Sequence, residues 1–111
     1  MQKPLIELSA TDAASLLEDK TDETLLLDVR EHVELEQAAI AGALHIPMNE
    51  IPERIGEVDR EKTVVCMCHV GGRSAQVAGY LMSQGFEKVY NLAGGIDAWA
   101  RDVDAGVIRQ Q

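Results

Sequence analysis

The run Val64-Val65-Cys66-Met67-Cys68-His69-Val70-Gly71-Gly72-Arg73-Ser74 holds the residues of this chain best suited to covalent chemistry. An apolar, β-type run ends at a thiol, turns through two glycines and enters a helical pattern. The N–H groups that open a helix are unpaired, and the aligned peptide dipoles make that end partially positive, so a thiolate at Cys68 is stabilised there. Free cysteine ionises near about pH 8.5, and a helix N-terminus with an adjacent arginine lowers that value by one to several units. A drop of about two units corresponds to about 2.7 kcal/mol in favour of the charged form, enough to make it the majority species at neutral pH. Gly71 and Gly72 suit a loop that wraps its N–H groups around an anion, since both can take positive φ and admit close approach. Arg73 offers a fork of donors to an oxyanion in the same concavity. Cys68 is therefore the candidate nucleophile, with His69, Val70, Gly71, Gly72, Arg73 and Ser74 as the candidate substrate cradle. The reading requires the Cys68 sulfur to face that loop, neither turned inward nor shut away from solvent.

Other reactive residue types are better read as structure. Cys66 lies two positions back in an apolar strand and is expected in the core, with a resolving disulfide to Cys68 as the weaker alternative. A Cys66, Cys68 and His69 metal site is weaker still, because structural zinc takes four ligands and no second pair follows. No metal and no organic cofactor is expected. His69 contributes mainly its backbone N–H, while its ring lines the mouth or, as the weaker alternative, assists a proton. His32 and His45 read as a surface and a strand-end residue. Asp28 and Arg30 are read as a pair that fixes neighbouring loops rather than as acid and base. Gly94-Gly95 lacks the spacing of a nucleotide loop and marks a tight strand-to-helix turn. The acidic side chains of residues 18–61 read as a solvated face, or as a dock for a basic partner.

At 111 residues the chain fits one domain with one site, a compact core over about residues 5–103 and a short frayed C-terminal tail. The formal net charge of −9 argues against nucleic acid and anionic membranes as partners. A basic leader with an apolar signal core is missing, and no apolar run approaches the about 18 residues of a membrane span. Two cysteines one residue apart cannot build a secreted disulfide framework, so a reducing, cytoplasmic setting is expected.

The elements that position the thiol follow from periodicity. Ile6 and Leu8 make a short apolar start, and Ser9-Ala10-Thr11-Asp12 caps a helix with Ala13, Leu16 and Leu17 on one face. Leu25-Leu26-Leu27-Asp28-Val29 and residues 62–67 read as buried strands, with Ala43-Leu44-His45-Ile46 as a shorter one stopped by Pro47. One or two helical turns are expected over residues 48–55. Residues 73–84 form the strongest helix, ended by Gly85 and backed by Phe86. Val89-Tyr90-Asn91-Leu92 returns as a strand before an amphipathic helix over residues 96–103, where Trp99 faces the core. This alternation predicts an α/β domain with a mainly parallel central sheet and helices on both faces. Ligands of such sheets bind beyond the carboxyl ends of the strands, where Cys68 falls.

Four ordered segments carry a resemblance that covers nearly the whole chain: Leu27-Asp28-Val29-Arg30, Ile40-Ala41-Gly42-Ala43-Leu44-His45-Ile46-Pro47, residues 68–74, and Asn91-Leu92-Ala93-Gly94-Gly95-Ile96-Asp97-Ala98-Trp99. They resemble the signatures of the single-domain rhodaneses, a family of sulfurtransferases. The resemblance implies a rhodanese-like fold and a Cys68 that takes a sulfane sulfur from a small anionic donor such as thiosulfate. Cys68 would become a persulfide and pass the sulfur to a thiol or to cyanide; a sulfur-relay protein is a further partner class. Loop N–H groups from His69 to Arg73 would hold the terminal sulfur, and Arg73 would help to bind the anionic donor. Related phosphatases and arsenate reductases carry five residues between cysteine and arginine, and the four here favour sulfur over phosphate. Ala38-Ala39 stand where many members have Gly-His. The rival readings are a non-catalytic protein-binding module and, less favoured, a phosphatase or arsenate reductase on the same fold.

Overall fold

The apolar runs assemble into one sheet. The computed structural model describes residues 4–108. In it β1 (Ile6–Leu8), β2 (Thr24–Asp28), β3 (Leu44–His45), β4 (Thr63–Met67) and β5 (Val89–Leu92) lie in the order β1-β5-β4-β2-β3. Every pairing between these strands is parallel. The connections carry α1 (Ala10–Asp19), α2 (His32–Leu35), α3 (Ile51–Arg54), α4 (Gly72–Ser83) and α5 (Gly95–Asp102).

Continuous apolar strands require cover on both faces, because successive side chains point to opposite sides. Leu27, Val64 and Cys66 pack with Ile51 of α3 and with Val77, Ala78 and Leu81 of α4. Leu26, Val65 and Met67 pack on the other face with Ala10 and Ala13 of α1 and with Ile96 and Trp99 of α5. The expected α/β architecture, with helices on both faces of a parallel sheet, is thus the observed one. Ser9 caps α1 by accepting the Asp12 N–H at 3.1 Å, and Gly85, at φ +96°, ends α4 as the sequence indicates.

Three segments differ from expectation. Ile6 and Leu8 belong to a true edge strand, since β1 pairs with β5 in register from Ile6–Tyr90 to Leu8–Leu92. Four residues, His32–Leu35, form α2, which is too short to show a period. A reciprocal cap holds it, in which Glu31 and Glu34 side chains each accept the other's backbone N–H. The third is the segment after Val103, which is not frayed through residues 104–108. Asp104 accepts the Gly106 N–H at 2.8 Å and turns the chain back, Val107 is buried, and its carbonyl accepts the Ala39 N–H at 3.0 Å.

Asp28 and Arg30 act as the sequence suggests, as a brace. Both are buried, and Arg30 donates to the two Asp28 oxygens at 3.0 and 2.8 Å. The same guanidinium donates to the carbonyl of Ala38 at 2.9 Å and to that of Glu34 at 3.3 Å, which fixes α2 over the end of β2. His45 donates through Nε2 to the Arg30 carbonyl at 2.6 Å, and the His32 ring meets it edge-on at 4.8 Å.

Candidate active site

The register Leu27–Cys66 and Asp28–Met67 sets the carboxyl ends of β2 and β4 level, so β4 delivers Cys68 to the sheet's carboxyl edge. Four residues later α4 begins. Gly71 makes the turn at φ +113°, a left-handed conformation that favours glycine, and its N–H donates to the Cys68 sulfur at 3.1 Å. Gly72 departs from expectation: its φ is not positive, and a Cβ there would meet open space. It is simply the first residue of α4, so one glycine, not two, is required by the turn.

The sulfur lies among donors, as the anion argument requires. Burial pushes the Cys68 thiol up, but the Ser74 hydroxyl and the N–H groups of Ser74, Gly71 and Arg73 outweigh it and hold the thiol below its ordinary value. Access is another matter. Cys68 is 1% exposed, so the sulfur faces the loop donors yet is closed to bulk water, and the expectation of an open thiol is met only in direction. His69 and Val70, by contrast, are exposed. Cys66 is fully buried, and burial first, then the charge of Cys68, pushes its thiol up to about 12, which leaves it unreactive. Both thiols are free.

Behind the sulfur stands a polar chain that links Ser74, a member of the expected cradle, to Asn91 and Glu7, neither of which carries a local sign of this role. Ser74 Oγ lies 3.3 Å from the Cys68 sulfur, 3.3 Å from the Gly71 carbonyl and 2.6 Å from Asn91 Oδ1 on β5. One hydroxyl proton serves three acceptors. Asn91 in turn donates through Nδ2 to the Gly71 carbonyl at 3.1 Å and to both Glu7 oxygens at 3.0 Å. These contacts fix the orientation of the amide, so its oxygen faces Ser74 and competes with the sulfur for that proton.

Arg73 is also engaged. Its two terminal nitrogens donate to the two Glu34 oxygens at 2.7 and 2.8 Å, a bidentate pair between α4 and α2. Hydrogen bonding from Arg73 holds the Glu34 carboxyl down at about 2. Glu34 falls among the acidic side chains expected on a solvated face; it lies 39 positions from its partner, and no local pattern announces the contact.

The other side of the loop rests on α5. Ile96 donates its N–H to the Cys68 carbonyl at 2.9 Å, and Asp97 donates to the His69 carbonyl at 3.3 Å. Gly95, at φ +60°, sits so close that a Cβ would overlap both carbonyl oxygens. Gly94-Gly95 is therefore the seat of the loop as well as a tight turn. The His69 ring pairs with Asp97 at 2.9 Å, with both side chains more than half exposed. A cavity of about 230 Å³ opens beside the loop, lined among others by Glu34, Gln37, His69 and Asp97. A larger one of about 460 Å³, between residues of α1, β2 and α5, shares no residue with the loop.

Both the sequence and the fold have counterparts among known proteins. Residues 9–102 match the family described as the rhodanese-like domain. The chain is 43% identical over 95 residues to a sulfurtransferase of Allochromatium vinosum, covering 86% of this chain and 88% of that one. It is 39% identical over 80 residues to the thiosulfate sulfurtransferase GlpE of Coxiella burnetii, covering 72% of this chain and 75% of that one. The crystal structure of a rhodanese-like domain protein from Staphylococcus aureus superposes with a TM-score of 0.81 at 26% identity, over 96% of this chain and all of that one.

Proposed function

This chain belongs to the rhodanese-like domain family, and on that premise we propose that it is a sulfurtransferase working by double displacement at Cys68. The observation that carries the reading is the Cys68 sulfur set among N–H donors at the start of α4, with the Gly71 N–H at 3.1 Å and the thiol held below its ordinary value.

In the first displacement the thiolate attacks the outer sulfur of a sulfane donor such as thiosulfate. A new S–S bond forms, the donor's S–S bond breaks, and sulfite leaves with the electron pair. In the second, a nucleophile such as cyanide or a thiolate attacks the terminal sulfur of the Cys68 persulfide, taking it and returning the thiolate. The loop N–H groups from His69 to Arg73 hold the terminal sulfur while it carries charge, which is the preorganised stabilisation that such a site supplies. No change of oxidation partner and no metal is needed for either step. Free thiols at positions 66 and 68 are compatible with a reducing compartment, the cytoplasm, and a sulfur-relay protein is a suitable acceptor class.

Intact-protein mass spectrometry after exposure to thiosulfate or another sulfane donor tests the proposal. We expect one added sulfur, removed by a thiol reductant and missing in Cys68→Ser. Absence of the adduct with every sulfane donor would favour the binding-module reading, and turnover of an aryl phosphate or arsenate instead would favour the oxyanion chemistry.

A further inference from the structure

An arginine at the mouth of an anion-binding loop ordinarily adds a positive charge for the incoming ligand. Here that charge is already matched. Both terminal nitrogens of Arg73 lie on the two Glu34 oxygens at 2.7 and 2.8 Å, and the Glu31 N–H holds one of those oxygens from behind at 2.9 Å. The carboxylate is therefore fixed from two sides, and both partners are only partly exposed, at 28% for Glu34 and 35% for Arg73. The other basic side chains beside the loop also face carboxylates. The His69 ring faces Asp97 at 2.9 Å, and the Arg30 guanidinium is taken up by Asp28. The cavity beside the loop presents the Glu34 and Asp97 carboxylates next to Gln37 and the apolar Ala38 and Ile96. The whole chain carries a formal charge of −9.

We infer that Glu34 is a specificity-determining residue, which by occupying both arms of Arg73 withdraws the loop's cation from donor binding and turns the site toward sulfane donors of little or no net negative charge. The inference rests on the sulfurtransferase reading and refines its donor class. Thiosulfate, a dianion, then reacts as a poor donor through the backbone N–H groups alone. A donor bearing an ammonium group, with the same leaving chemistry, meets carboxylates it can pair with.

Three donors isolate charge from chemistry: thiosulfate as a dianion, an alkanethiosulfonate as a monoanion, and aminoethanethiosulfonate as a zwitterion. Each loses its outer sulfur to the thiolate and releases sulfite or a sulfinate. Glu34→Gln keeps the shape and an oxygen for the Glu31 N–H while removing the charge. Because Coulomb energy is linear in ligand charge, kcat/KM should rise by roughly tenfold for the dianion and about threefold for the monoanion, and should stay level or fall for the zwitterion, which loses a carboxylate partner. The wild-type protein gives a second readout that needs no variant. Its kcat/KM for thiosulfate should hold or rise with ionic strength, since screening relieves repulsion, whereas attraction by a free cation would make it fall. An equal change for all three donors, a loss of thiosulfate activity in Glu34→Gln, or a falling salt profile overturns the inference and makes Glu34 a mere support for Arg73. If no donor loads Cys68 in either protein, the sulfurtransferase reading fails and the inference with it.

Discussion

Cys68 is held between opposing influences. Burial disfavours its charge, and the donors around it favour it; the donors prevail. Within the donor set, Ser74 is the divided member, because its proton must leave Asn91 Oδ1 at 2.6 Å to reach the sulfur at 3.3 Å. The backbone N–H groups have no such alternative. The rate of Cys68 alkylation should therefore reach its midpoint below the about 8.5 of free cysteine. Ser74→Ala should move that midpoint up only slightly, since a neutral hydrogen bond contributes about 1 kcal/mol and this one is shared. A pH series of iodoacetamide rates on both proteins checks this, and an unmoved midpoint would assign the whole effect to the loop backbone. The candidate nucleophile stands out in the sequence because thiol, glycine turn and helix start are neighbours in the chain. Glu34, Asn91 and Glu7 were not readable, because they reach the site from separations of 39, 17 and 84 positions.

Among the elements, α5 has the least obvious task. Its first residues carry the loop: Ile96 and Asp97 bind the carbonyls of Cys68 and His69, and Gly95 has no side chain to hold them off. Gly95→Ala must accept a left-handed φ and an overlap with two carbonyl oxygens, at a combined cost of about 2–5 kcal/mol. Urea denaturation should show that loss, and the folded fraction should load sulfur more slowly; a variant of native stability would show that the loop can shift without penalty. The glycine pair could be recognised as a turn from its place between Leu92 and the helix, but its second role depends on a loop some 25 positions earlier and has no local sign. Strand and helix positions were legible wherever a run was long enough to show a period, as in β4 and α4. The two-residue β3 was marked instead by Pro47 closing a short apolar run; the four-residue α2 lacks that length, and β1 is defined by pairing with β5 rather than by its own pattern.

At the scale of the molecule, the bidentate pair of Glu34 and Arg73 ties the segment after β2 to the helix after β4, so it has a share in holding the carboxyl edge of the sheet together. Hydrogen bonding from Arg73 keeps Glu34 ionised down to about 2, well below its ordinary value of 4.5. Between these values the unfolded chain binds a proton that the folded chain does not, so stability falls as pH falls. The contribution is complete above about pH 4.5 and is lost on passing through pH 2. Urea midpoints measured in steps from pH 5 to pH 2.5 should therefore decline more steeply for the wild-type protein than for Glu34→Gln, by on the order of 1 kcal/mol for a partly exposed pair. Parallel slopes would mean that the tie does not survive in solution. The two-sided core was foreseeable because β2 and β4 are apolar without alternation, whereas the return of residues 104–108 depends on an Asp104 turn that composition alone does not reveal.

The 1% exposure of Cys68 bears on timing as well as on reactivity. A sulfur atom taken up there, as proposed, would be sheltered from oxidants, and Cys66, protonated and buried, is in no state to displace it. On the proposed reading, a sulfur so enclosed suits a carrier that keeps its cargo between encounters better than a scavenger that meets every passing reagent.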